Sequence, residues 1–222
     1  MATFKRPEVI RMMKDTGIVP VFFHSDFETA CSIVQACYEG GAKVMEFTNR
    51  GDFAHEVFSE LRKYAREELP GMCLGVGSVM DAPTAAIYMQ SGADFVVSPI
   101  LDEETGKICN RRKVLWVPGC GSVTEITRAH ELGAEIVKIF PGSQVGGPGF
   151  VKAVRGPMPW TDIMPTGGVE PTEENLRAWF EAGTCSVGMG SKLITKELVK
   201  NREFDKIKEK TREALSIVQK FK

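Results

Sequence analysis

Gly40-Gly41-Ala42-Lys43-Val44, Ser91-Gly92-Ala93-Asp94-Phe95, Leu132-Gly133-Ala134-Glu135-Ile136 and Ala182-Gly183-Thr184-Cys185-Ser186 are four versions of one signal. In each, a glycine suits the left-handed residue that ends a helix, and a strand begins at once. Gly41, Gly92, Gly133 and Gly183 are separated by 51, 41 and 50 residues. A two-strand, two-helix period repeated four times gives eight strands. The strand-like runs are residues 18–23, 43–47, 73–77, 94–98, 114–118, 135–140, 162–165 and 184–188. Helical patterns lie between most of them, including 26–39, 53–68 and 102–112. A last helical pattern, 204–220, carries Phe204, Ile207, Leu215 and Val218 on one face. This alternation predicts an α/β fold with parallel strands and crossover helices. Eight units in 222 residues come to about 28 each, the compact end of a (β/α)8 TIM barrel, here preceded by a short N-terminal helix. No Pro/Ser-rich linker interrupts the chain, so residues 1–222 are expected to form one domain. The alternative, an open doubly wound sheet, is weakened because no G-x-G-x-x-G follows the first strand.

Composition narrows the classes of function. Twenty-eight Lys and Arg against 29 Asp and Glu leave a net charge of −1. That balance offers no electrostatic footprint for nucleic acid or an anionic membrane surface. Hydrophobic residues at 43% and charged residues at 26% are ordinary for a globular chain. No apolar run approaches 18 residues, so no membrane-spanning helix is expected. The opening residues Met1-Ala2-Thr3-Phe4-Lys5-Arg6-Pro7-Glu8 contain no apolar leader, and a cytoplasmic protein is expected. The six cysteines show no CxxC spacing and read as small packing residues. His24, His55 and His130 are scattered without metal-ligand spacing, so no metal site is expected. Only His24 falls at a strand end.

Chemistry in a barrel belongs at the C-terminal ends of its strands. In Glu135-Ile136-Val137-Lys138-Ile139-Phe140-Pro141, alternation groups Ile136, Lys138 and Phe140 on one face. A lysine inside an apolar strand is costly unless paired or neutral. Lys138 is either a strand-end lysine reaching for water or a desolvated nucleophilic amine. In Lys43-Val44-Met45-Glu46-Phe47-Thr48-Asn49-Arg50, the same parity groups Val44, Glu46, Thr48 and Arg50. Glu46 is either half of a structural pair with Arg50 or a general acid/base beside a carboxylate-binding guanidinium. Gly75-Val76-Gly77-Ser78 ends the third strand, where Ser78 can cap a helix, touch a ligand, or both.

Glycine-rich turns follow the last two predicted strands. They read Pro165-Thr166-Gly167-Gly168 and Gly188-Met189-Gly190-Ser191. Barrels often hold phosphate at these two loops through backbone N–H groups. Gly146-Gly147-Pro148-Gly149, after the sixth strand, can frame the same site or be a flexible loop.

Taken together, these segments resemble a known family. Gly17-Ile18-Val19-Pro20-Val21, Glu46-Phe47-Thr48-Asn49-Arg50, Gly75-Val76-Gly77-Ser78, Val97-Ser98-Pro99, Val117-Pro118-Gly119, Val137-Lys138-Ile139-Phe140-Pro141, Pro165-Thr166-Gly167-Gly168 and Gly188-Met189-Gly190-Ser191 look like the 2-keto-3-deoxy-6-phosphogluconate (KDPG) / 4-hydroxy-2-oxoglutarate aldolases. The match runs in order from about residue 8 to 215. The resemblance implies a class I aldolase that is a homotrimer of (β/α)8 barrels, needs no cofactor, and takes a small 2-keto acid substrate. It implies Lys138 as the Schiff-base lysine, Glu46 as general acid/base, and Arg50 with Ser78 at the substrate carboxylate. It also implies Phe140, Thr166 and Pro99 in the pocket, and Gly167, Gly168, Gly190 and Ser191 at the phosphate. Asn49, Ile100 and Gly142 depart from the family's usual Leu, Gly and Ala. None removes a chemical group that the mechanism needs.

The reaction implied is cleavage of KDPG to pyruvate and glyceraldehyde 3-phosphate, with 4-hydroxy-2-oxoglutarate as a further substrate. Two other readings compete with it. One is a different phosphate-binding barrel enzyme, an isomerase or synthase without a covalent lysine. The other is a sugar-acid binding protein without turnover, for which a buried lysine would bring no gain.

Overall fold

The computed structural model describes residues 2–222. Helix α1 (Arg6–Thr16) precedes strand β1 (Ile18–Phe22), and α2 (Phe27–Glu39), β2 (Val44–Thr48), α3 (Ala54–Glu68), β3 (Cys73–Gly77), α4 (Ala82–Gln90), β4 (Phe95–Val97) and α5 (Glu103–Arg112) follow. The next strand is broken into β5 (Leu115–Val117) and β6 (Gly119–Cys120). Then come α6 (Val123–Glu131), β7 (Ile136–Ile139), α7 (Gly147–Arg155), β8 (Asp162–Pro165), α8 (Glu173–Glu181), β9 (Val187–Met189), α9 (Lys196–Lys200) and α10 (Phe204–Val218).

Local chemistry explains where the helices start and stop. Side-chain oxygens of Asp26, Asp81, Asp102, Ser122, Thr172 and Thr195 each accept an N–H from the first turn of the helix that follows. At the other ends, Gly41, Gly92, Gly133 and Gly183 all have positive φ, between 82° and 105°, as the repeated glycine signal requires. Gly147, Pro148 and Gly149, which the sequence offered as part of a frame or flexible loop, open α7, and the five-residue α9 was not read in the sequence.

All ladder pairs are parallel. The strands form a six-stranded sheet in the order β5-β4-β3-β2-β1-β9 and a three-stranded sheet in the order β6-β7-β8. The expected uninterrupted eight-stranded ladder is therefore met in part: the fold is α/β with a curled parallel sheet. One interruption falls at Pro118, which has no N–H to donate, although its carbonyl still accepts the Lys138 N–H at 2.8 Å. The other lies between β8 and β9, which an isolated bridge joins at Thr166 and Gly188.

Two apolar cores follow from strand parity. Val19, Val44, Cys73, Phe95, Val97, Leu115, Val117, Ile136 and Met164 form one cluster within the curl of the sheet. Val9 and Met13 of α1 join that cluster and close it from the strands' N-terminal side. The alternate residues Met45, Phe47, Val137, Ile139 and Ile163 pack beneath the helices. Gly75 makes room in the inner layer, because a Cβ there would overlap the Phe95 ring. A buried ion pair ties α3 to the start of β4: Arg62 Nη2 lies 2.8 Å from Asp94 Oδ2. Asp94 also accepts the N–H groups of Leu74 and Thr3.

Candidate active site

Two steps along β2 from Val44 is Glu46, and two steps along β7 from Ile136 is Lys138. Both therefore continue the inner face above the apolar layer. Glu46 is 1% exposed and Lys138 is 4% exposed. Little of Lys138 is left to solvent. Its Nζ makes no hydrogen bond or ion pair among the described residues and lies 4.7 Å from the centroid of the Phe140 ring. Glu46 does not pair with Arg50, and its Oε2 is buried without a hydrogen-bond partner. Gly77 is what admits the Glu46 carboxylate, since any Cβ on Gly77 would fall on that group.

Burial pushes the Glu46 carboxyl up from its ordinary range and pulls the Lys138 ammonium down, because both charged forms lose water. Their mutual attraction opposes both shifts. The positive charge of Arg50 acts on both in one direction, favouring the carboxylate at 46 and the neutral amine at 138. The shift makes the Lys138 amine readier to lose its proton and act as a nucleophile, and the Glu46 carboxyl readier to hold a proton and pass it on.

Arg50 follows β2 and donates through Nε to Ser78 Oγ at 3.3 Å. Ser78 is held at φ 59° and is not the cap of α4, a task performed by Asp81. The rest of the guanidinium faces a cavity of about 920 Å³ at the C-terminal ends of the strands. Phe22, Phe23 and His24 line it from β1 and the loop after it, and Thr48 and Arg50 from β2. Phe140, Thr166, Gly167, Gly168, Gly188, Gly190 and Ser191 line it from the last three strands and their loops. The hydroxyls of Thr48 and Thr166 are buried there without partners. Buried polar groups without partners are exceptional and mark a place for a polar ligand. Gly167 and Gly168 have positive φ, which suits glycine in a tight anion-binding turn. The Asn175 side chain pins that turn by donating to the Gly168 carbonyl.

Glu46, Lys138, Ser78 and Pro99 do not line this cavity directly. The first two lie in the strand layer beneath it. Pro99 is half-buried after β4 and packs against Gly119. The wall contributed by α9 and the turn after it (Lys196, Val199, Lys200 and Arg202) is absent from the sequence reading. Its signal was a run of basic residues soon after the Gly190-Ser191 loop. Among the described residues, no three His, Cys, Asp or Glu side chains gather closely enough to hold a metal ion.

A lysine and a carboxyl without a hydrogen-bond partner, buried in the strand layer beneath the cavity, suit a carbon–carbon lyase that works through a lysine imine. The chain belongs to the KDPG and KHG aldolase family, whose model matches residues 9–210. It is 30% identical over 199 residues to the 2-dehydro-3-deoxy-phosphogluconate aldolase of Pseudoalteromonas atlantica, covering 90% of each chain. Its fold superposes with a TM-score of 0.84 on the KDPG aldolase of Legionella pneumophila, solved with pyruvate captured as a covalent carbinolamine intermediate. That pair is 25% identical over 91% of this chain and 96% of the other. The 2-keto-3-deoxy-6-phosphogluconate aldolase of Zymomonas mobilis, solved with 3-phosphoglycerate, gives a TM-score of 0.80 at 27% identity over 98% and 97% of the chains.

Proposed function

We propose that this carbon–carbon lyase cleaves KDPG to pyruvate and glyceraldehyde 3-phosphate, and also 4-hydroxy-2-oxoglutarate to pyruvate and glyoxylate. The observation that carries this reading is the buried, unpartnered Lys138 amine sharing one interior face with Glu46. Neutral Lys138 attacks the C2 ketone. The carbinolamine loses water to give an iminium, whose positive charge makes it an electron sink. Glu46, directly or through one water, takes the proton of the C4 hydroxyl. The C3–C4 bond breaks, its electrons pass to the iminium, and the aldehyde leaves an enamine on Lys138. Glu46 returns a proton to C3, and hydrolysis frees pyruvate and the amine. Arg50 and Ser78 hold the C1 carboxylate, Phe140 and Thr166 bound the pocket, and Gly167, Gly168, Gly190 and Ser191 receive the phosphate. Pro99 shapes the pocket from behind Gly119.

The working unit is a single (β/α)8 domain over residues 1–222, closed between β8 and β9 through the Thr166–Gly188 bridge. Three copies assemble into a homotrimer. Support comes from the exposed apolar side chains of Met80, Ile87, Ile100 and Val123, carried on successive loops and helices after β3, β4 and β6. Sedimentation at micromolar concentration should give about three times the 24.5 kDa chain mass; a monomer mass would remove the trimer. No described helix is long and apolar enough to cross a membrane. The six unpaired cysteines suit a reducing, cytoplasmic setting.

The deciding experiment is borohydride reduction in the presence of pyruvate, followed by peptide mass spectrometry. An adduct on Lys138 that is lost in Lys138→Met supports the imine mechanism. No adduct, under conditions that trap a control aldolase, overturns it.

A further inference from the structure

The cavity continues beyond the glycine loops onto α9 and the turn after it, and there its wall is cationic. Lys196, Lys200 and Arg202 line it, together with half-buried His24 from the β1–α2 loop. Lys196 and Lys200 stand four residues apart, so they are neighbours on one helical face, where like charges repel. A fourth cation of this wall, Lys192, pairs with Glu170. Lys196 and Lys200 have no ion pair among the described residues. Arg202 is held at φ 56°, a conformation glycine would adopt without strain. Its guanidinium lies 5.9 Å from the Phe204 ring centroid and makes no ion pair. Asp26, the carboxylate whose charge interacts with Arg202, spends its Oδ2 on the N–H and hydroxyl of Thr29.

We infer that Lys196, Lys200 and Arg202 form the charge-selecting wall of the substrate site, favouring a sugar acid that ends in a phosphate over one that ends in a neutral hydroxymethyl group. The inference rests on the aldolase reading and adds specificity-determining residues to it. Arg50 receives the carboxylate end, the glycine loops contact the phosphate, and the α9 wall supplies the neutralising charge. Because these cations are exposed, part of their effect is long-range attraction that salt screens.

The test compares kcat/KM for KDPG and for unphosphorylated 2-keto-3-deoxygluconate as ionic strength is raised. In Lys196→Met/Lys200→Met, kcat/KM for the phosphorylated substrate should fall about tenfold, mostly through KM, as expected for two solvent-exposed charge contacts. Its salt dependence should weaken. The rate on the unphosphorylated substrate should stay within about twofold, and Lys196→Arg/Lys200→Arg should restore selectivity. A surface pair outside the cavity, Lys63→Met/Lys107→Met, should change neither rate. An equal loss on both substrates, or no loss on the phosphorylated one, overturns the charge-selecting role while leaving the aldolase standing. A wild-type protein that cleaves neither substrate and forms no pyruvate adduct overturns the aldolase reading, and this inference with it.

Discussion

At Lys138 and Glu46, residue type and strand parity together announce the chemistry. Under the proposed mechanism both the Lys and the Glu on this inner face are used. Glu46→Gln should keep the fold and still form the pyruvate imine, while kcat for cleavage falls roughly 100- to 10,000-fold, the usual worth of a positioned general base. Unchanged turnover would take the proton-transfer role from Glu46. Gly77→Ala makes a subtler case, since its methyl group would displace the Glu46 carboxylate. Activity should drop by one to two orders of magnitude, roughly what a displaced catalytic group costs; single-turnover cleavage rates would read this out. Arg50 offers a test by pH. Burial already pulls Lys138 below the ordinary 10.5 of lysine, and Arg50 lowers it further. The amine must be neutral to attack, so kcat/KM falls as pH drops through that lowered value. Arg50→Met removes a repelling cation, which raises the pKa of Lys138, and the acid limb should move to higher pH. Arg50→Lys keeps the charge, so the limb should stay in place while KM rises from loss of the guanidinium fork. An unmoved limb in Arg50→Met would mean that Arg50 acts on the substrate alone.

Between elements, the departures from the family pattern acquire reasons. Asn49 accepts a hydrogen bond of 2.7 Å from the Tyr88 hydroxyl of α4, and its N–H bonds to the Gly77 carbonyl at 2.8 Å. These two bonds join β2, β3 and α4 immediately before Arg50, which positions the arginine. Burial pushes the Tyr88 hydroxyl up to about 12, so it remains a donor throughout the working range. Tyr88→Phe should cost about 1 kcal/mol in denaturant unfolding and raise KM more than it lowers kcat. A pure kcat effect would contradict a positioning role. Gly142 is required locally, because a Cβ there would press on the Gly167 carbonyl and shift the Gly167–Gly168 turn. Ile100 is 42% exposed and does not line the cavity. The strand runs and the left-handed glycines were legible in the sequence, since each depends on a few adjacent residues; the one cap read there, Ser78, gave way to Asp81. The break at Pro118 was less so. Val114–Pro118 reads as one strand, and only the missing N–H in the parallel ladder divides it.

For the whole molecule, stability and reactivity depend on what the fold removes from water. Asp94→Ala would leave the Arg62 guanidinium charged and buried without its carboxylate, and should cost about 3–5 kcal/mol; a denaturation midpoint close to wild type would remove that ion pair from the account. Desolvation pushes the thiols of Cys37, Cys109 and Cys120 up to about 12. Native protein should therefore react slowly with a thiol reagent at neutral pH, and all six cysteines should react once it is unfolded. By itself the sequence determined the alternation of strands and helices, the face each strand turns inward, and the identities of the lysine and the carboxyl that face carries. These are consequences of local backbone preference and two-residue periodicity. Only the tertiary structure decided that Glu46 and Arg50 stay unpaired, that Asn49 belongs to Tyr88, and that four cations after β9 (Lys192, Lys196, Lys200 and Arg202) join the cavity wall. Those outcomes depend on groups brought together from distant parts of the chain, and on the loss of solvent around them, which shifts the balance between a charged group and its neutral form.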